Sequence, residues 1–149
     1  MKPSLLILIV LVLAPTTFAA NDNRTADRAW TPFFVAFRAA VTKRDRAALR
    51  TMMSPDFYSS PGNDAGPDAA FEFWDDPNVR GWNTLNLVLS RGSVPLAAWW
   101  NNGQKPKHIS RVAPPKANSK RRLRNGDWYA IFEFRDGRWY CTVFNQCCD

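Results

Sequence analysis

The feature that most constrains this chain is a pair of apolar segments, 128–135 and 138–145, joined by Asp136-Gly137. Asp-Gly between two alternating apolar runs is the sequence of a two-residue type I′ turn, in which both turn residues take positive φ. The turn sets the pairing of the two strands, and pairing sets which side chains share a face. Counted outwards without interruption, Phe134 faces Trp139, Phe132 faces Cys141 and Ala130 faces Val143. All six are apolar, which marks the core face. The other face pairs Glu133 with Tyr140, Ile131 with Thr142 and Tyr129 with Phe144. A half-apolar face with two tyrosines suits a pocket lining, a contact with the rest of the sheet or a subunit interface.

The opposite end of the chain specifies a destination. Lys2 precedes nine unbroken apolar residues, Leu5 to Leu13, and Thr17-Phe18-Ala19 places small residues three and one before a cleavage point. This is the order of a secretory signal peptide over residues 1–19. Nine residues fall short of the roughly 20 that span a bilayer, so no membrane span is expected after cleavage. The expected mature chain, 20–149, is one secreted or periplasmic domain. An oxidising compartment permits disulfides, for which Cys141, Cys147 and Cys148 are the candidates. Three cysteines leave one over, and with a single histidine and no Cys-x-x-Cys pair they do not form a structural metal pattern. No metal or cofactor is expected.

Charge is concentrated in one place. The loop at about 105–124 holds eight of the 20 Lys and Arg residues and no acid. The rest of the mature chain carries eleven bases against thirteen acids. Within the loop, Lys120, Arg121, Arg122 and Arg124 are the candidates for contact with an anionic surface or polymer. Trp99 and Trp100 precede it and could stack on sugars or bases. Secretion and the lack of a nucleic-acid fold motif argue against nucleic acid as the partner.

Between these landmarks the periodicity predicts helices. Thr31-Pro32 reads as an N-cap and first helical residue, with Phe33, Phe34, Phe37, Ala40 and Val41 forming an apolar stripe to about residue 43. Residues 21–29 are polar and read as frayed. Asp45 caps a helix from Arg46 to Met53, which Ser54-Pro55 stops. A short strand at 56–59, a turn-rich loop at 60–67 and a helix at 68–75 follow. Residues 81–91 fit a helix, with a strand as the alternative. Val94 to Trp100 reads as an edge strand because it contains Pro95, and 108–112 as another short strand. Seven Trp, ten Phe and three Tyr supply a heavy aromatic load for a core of this size.

Two stretches carry a resemblance. One is Phe33-x-x-x-Phe37-Arg38-x-Ala40-Val41-x-x-x-Asp45-x-x-Ala48-Leu49, running into Met53-Ser54-Pro55-Asp56-Phe57. The other is Asp127-Trp128 to Phe134, turned by Asp136-Gly137 into Arg138-Trp139-Tyr140. Together they resemble the nuclear transport factor 2-like, or cystatin-like, superfamily, in its secreted bacterial branch of unknown function. The resemblance implies an α+β fold in which N-terminal helices pack on a curved antiparallel sheet ending in the C-terminal hairpin. It does not imply a reaction, because function resides in the site.

Three functions follow as expectations. The first is a domain that binds a small ligand or protein partner through Tyr129, Ile131, Tyr140 and Phe144, with a homodimer as one form of partner. The second is a small enzyme of the ketosteroid isomerase or polyketide cyclase type, which the resemblance implies would use a buried carboxylate. Glu133, with Tyr140 across the strands, and Asp56 are its candidates, followed by Tyr58 and His108. The competing reading of Glu133 is an exposed carboxylate paired with Arg135 or Arg138. The third is binding of a polyanion through the basic segment.

Overall fold

The computed structural model describes residues 17–59, 66–96, 106–118 and 123–147. Residues 1–16 of the expected signal peptide 1–19, the tryptophans at 99 and 100, the basic residues 120–122 and Cys148 lie outside the described residues.

Over the described residues the chain is an α+β sandwich of four helices on a five-stranded mixed sheet. Helix α1 spans Thr17–Lys43 and α2 Arg46–Met52. Strand β1, Met53–Ser59, follows at once. Helices α3, Pro67–Asp75, and α4, Gly81–Ser90, come next. Strand β2 is only Val94–Pro95, β3 is Ile109–Ala113, and a single 3₁₀ turn covers Pro115–Asn118. Strands β4, Trp128–Arg135, and β5, Arg138–Gln146, form the hairpin. The sheet order is β1-β5-β4-β3-β2. It is not antiparallel throughout: β1 runs parallel to β5, which joins the N-terminal half of the chain to its last strand.

Local sequence explains most of these elements. Asp45 accepts a hydrogen bond from the Ala48 N–H at 3.0 Å, the expected cap. Pro67 occupies the first position of α3, where its missing N–H costs nothing. Segment 81–90 is a helix, followed by Gly92 at φ 79°, whose N–H reaches the Leu89 carbonyl at 3.1 Å. Asp136 and Gly137 have φ of 51° and 80°, as a type I′ turn requires.

Helix α1 differs from the expectation. It begins fourteen residues before Thr31, so Pro32 lies inside it and 21–29 are helical. The cause is packing. Ala26 and Trp30 extend the stripe of Phe37, Ala40 and Val41 towards the N-terminus, and all five are buried. The Trp139 indole N–H donates to the Ala26 carbonyl at 2.8 Å. Beneath the helix, Arg111 lies 4.9 Å from the Trp30 ring centre and 3.9 Å from Asp27. These contacts hold a segment in which Asp22, Asn23, Arg24, Thr25, Asp27 and Arg28 are polar and exposed.

The hairpin register also differs in part. Arg135–Arg138, Phe134–Trp139, Glu133–Tyr140 and Phe132–Cys141 pair as counted from the turn. Thr142 is then a bulge, and the pairs become Ile131–Val143, Ala130–Phe144 and Tyr129–Asn145. One extra residue on one strand moves everything beyond it to the opposite face. Phe144 therefore points into the helix-covered core, fully buried, and Val143 replaces it on the outer face.

The space between helices and sheet is filled with rings. Trp30, Phe33, Phe34 and Phe37 all meet Phe132 at centroid distances of 5.3–6.0 Å. Trp74, Trp82, Phe71, Phe57 and Phe144 form a second interlocked set. Among the described residues no carboxylate is buried; the buried polar side chains are Ser54, Ser59, Ser110 and Thr142.

Candidate functional site

With the helix side of the sheet packed, a cleft bordered by charged groups lies on the outer side among the described residues. Strands β1, β5 and β4 bring Asp56, Val143, Ile131, Glu133 and Arg135 to it, and Leu96, Pro106, Lys107 and His108 form its other wall. Its volume is about 450 Å³. A second cleft of about 430 Å³ adjoins it, shares Lys107, His108 and Arg135, and is closed by Asp22 and the Asp136-Gly137 turn.

Arg135 organises the first cleft. Its Nε donates to Glu133 Oε2 at 2.7 Å, and its Nη2 lies 2.5 Å from the same oxygen. Its Nη1 reaches both Asp56 oxygens, at 3.1 and 3.2 Å. One guanidinium thus holds two carboxylates that come from strands far apart in sequence. The fork geometry of Arg suits this bridging. Asp56 remains 68% exposed, whereas Glu133 is 22% exposed. The buried Ser54 hydroxyl, which makes no hydrogen bond of ordinary geometry among the described residues, and then Arg135 lower the Asp56 carboxyl below its usual value. Arg135 is pulled both ways: burial works against its charge, yet Glu133 and Asp56 raise it overall. Lys107 has no ion-pair partner among the described residues.

The residues singled out in sequence are only partly gathered here. Glu133, Ile131 and Asp56 line the cleft, as does His108. Glu133 is the carboxylate paired with Arg135, not an isolated one in an apolar cavity. Tyr140 receives a hydrogen bond from Arg138 and lies beside the cleft without lining it. Tyr129 is covered from within the chain, in a small cluster with Val112, Ala117 and Leu123. Burial raises its phenol above the ordinary value. Phe144 has left this face for the core, for the reason given by the bulge. Residues missed in sequence are Val143, which only the bulge exposes, and Arg135, which was read merely as a partner for Glu133.

The cysteines and the basic segment separate in the same way. Cys141 is not a disulfide residue: it is a free thiol buried among core side chains, and burial pushes its pKa up. Cys147 is disulfide-bonded. In the basic segment, Arg111 is turned inward under α1, and Lys116 donates to Asp127 at 2.6 Å. Arg111 is thereby withdrawn from the surface, while Lys116 is engaged by Asp127. Arg124 donates its backbone N–H to Asp127 at 2.9 Å. The other three residues named for a polyanion lie outside the described ones.

These ion pairs give the fold a predictable acid limit. Asp127 is lowered by Lys116 and the Arg124 N–H, Asp75 by the Trp82 indole and Arg46, and Asp56 as above. A carboxyl with a lowered pKa in the fold stabilises it fully above the unfolded value of 3.8 and loses that contribution as pH falls through the folded value. The urea midpoint is therefore expected to be level from pH 7 to about 5 and to fall below about 4. Asp127→Asn should lower it at pH 7 and flatten the fall; an unchanged profile would contradict the assignment of Asp127.

No helix among the described residues is long and apolar enough to cross a membrane. No family model matches the chain, and no curated protein is similar to it. Solved structures similar to it include two that match over most of both chains. One is a variant of Rd1NTF2_05 with five substitutions, at 12% identity, covering 86% of this chain and 99% of that one, with a TM-score of 0.39. The other is the crystal structure of LinA, at 16% identity, covering 88% and 90% respectively, with a TM-score of 0.41.

Proposed function

We propose that this is an exported nuclear transport factor 2-like domain that binds a small ligand, without transforming it, in the cleft on the outer face of its sheet. The observation that carries this reading is the Asp56–Arg135–Glu133 bridge set at one side of an apolar floor made by Ile131 and Val143. Small-molecule recognition uses concave sites with fixed polar groups, and 450 Å³ lies in their ordinary size range. Binding is favoured over catalysis because the candidate base is compensated. Glu133 is held in an ion pair by the Arg135 guanidinium rather than standing alone against apolar walls. Secretion rests on the order of residues 1–19.

The test is a titration of the ¹⁵N-labelled mature chain with a library of small fragments, followed residue by residue. The expected result is that hits move the amide signals of Asp56, Ile131, Glu133 and Val143. Signals that move only on the helix side, or an absence of hits, would overturn the reading.

A further inference from the structure

We infer that Cys147 is bonded to its neighbour Cys148, and that the two form a vicinal dithiol–disulfide couple that reacts with small thiols and disulfides. The pairing follows by elimination. The cysteines of the chain are Cys141, Cys147 and Cys148. Cys147 is disulfide-bonded, whereas Cys141 is a free thiol in the core. Cys141 is also out of reach. It stands six residues before Cys147 on β5, a span of about 20 Å in an extended strand. Bonded cysteines have Cα atoms within about 7 Å of each other. Within the chain that leaves Cys148, whose placement lies outside the described residues.

The setting of Cys147 decides what such a bond can do. Its N–H donates to the Asp127 carbonyl at 2.7 Å, and its carbonyl accepts from the Gly126 N–H at 3.3 Å. Its side chain is half-buried and packs on the cluster of Val112, Ala117, Leu123 and Tyr129. These contacts tie the end of β5 to the turn before β4 without any help from the sulfur. A disulfide stabilises a fold mainly by closing a loop of the unfolded chain, and adjacent residues enclose no loop. Opening this bond therefore costs the fold little, and the couple can cycle in the native chain. Closure is a thiol–disulfide exchange with a low-molecular-weight disulfide. One cysteine thiolate attacks that disulfide and expels a thiol; the second attacks the cysteine sulfur of the mixed disulfide, expels the other thiol and forms the Sγ–Sγ bond. Two electrons and two protons pass from the cysteines to the small disulfide, which leaves as two thiols. In the open form, thiols on consecutive residues can be captured together by a trivalent arsenical, with loss of water.

The experiment takes the mature chain oxidised with glutathione disulfide, unfolds it in urea, alkylates it before any reduction, cleaves it after Arg138 with trypsin and reads the last peptide by tandem mass spectrometry. The expected result is one label, on Cys141, and a Cys147–Cys148 pair lighter by two hydrogens. After dithiothreitol all three cysteines take the label, the urea midpoint of the folded chain is unchanged, and phenylarsine oxide binds one to one. Glutathione disulfide should abolish that binding by closing the pair again. Cys148→Ser should keep the midpoint of the reduced chain and lose the arsenical. A label on Cys147 or Cys148 before reduction, a dimer that reductant splits, a midpoint that falls on reduction, or a reduced chain that binds no arsenical would each overturn the inference.

Discussion

Phe132→Ala is expected to cost about 3–5 kcal/mol of folding stability, the range for removing a fully buried aromatic ring from a core. Phe132 is 0% exposed and sits at the centre of the N-terminal cluster. Trp30, Phe33, Phe34 and Phe37 approach it edge-on, with interplanar angles of 70–87°. T-shaped pairs of this kind are a favourable arrangement of the ring quadrupoles. Four rings carried on one helix cannot all collapse into the vacated space, because the backbone of α1 fixes their spacing. The cavity term therefore adds to the lost transfer energy. A domain has about 5–15 kcal/mol in total, so this single change removes much of it. Urea unfolding of the mature chain measures the effect. Leu87→Ala, at a position 54% exposed, is the control and should stay within about 0.5 kcal/mol of the parent. A loss below about 1 kcal/mol for Phe132→Ala would mean that the ring cluster is not packed as described.

Gly81→Ala is expected to destabilise although helix propensity argues the opposite. Gly81 is in the first turn of α4. Alanine in a helix is worth up to about 1 kcal/mol over glycine. A Cβ at this position would lie 2.5 Å from Trp74 Cδ1, 2.8 Å from its Cγ and 2.9 Å from its Cα. The last contact is with backbone, and the ring has no room to yield. Trp74 is 2% exposed, between Phe57, Phe71, Trp82 and Phe144. Its indole N–H is also directed to the Ser59 hydroxyl at 3.4 Å. Overpacking of a filled core costs about 1–3 kcal/mol, which outweighs the propensity gain. The measured sign decides: a lower urea midpoint supports the close approach of α3 and α4 at Gly81, and a higher one refutes it.

The proposed cleft was half legible in the sequence. Glu133, Ile131 and Asp56 were visible as candidates because strand alternation from the Asp136-Gly137 turn placed the first two on the outer face. Arg135 as the bridge to Asp56 was not visible, since the two are 79 residues apart and meet only because β1 pairs in parallel with β5. Val143 and Phe144 show the limit most clearly. Both are apolar, so hydrophobic alternation gives no sign of which one faces the core. The bulge at Thr142 is settled from outside the hairpin. Strand β1 pairs Tyr58 with Val143 and Ser59 with Phe144, while Trp74 takes up the Phe144 ring at 5.7 Å.

What the sequence determined by itself was local and short in range. It set the type I′ turn and the four pairs nearest it, the Asp45 cap, the existence of α3 with its start to within one residue, and the stripe of α1 from Phe33 onwards. Each depends on backbone preferences or on side chains within a few residues, which the chain carries wherever it is placed. The tertiary structure alone decided the first half of α1, the parallel closure of β1 on β5, the inward turn of Arg111 and the bulge that exchanged Val143 for Phe144. In each of these, a local preference was weak or evenly balanced. Burial of Trp30, Trp139, Trp74 and Phe144 against partners distant in sequence supplied the energy that resolved it.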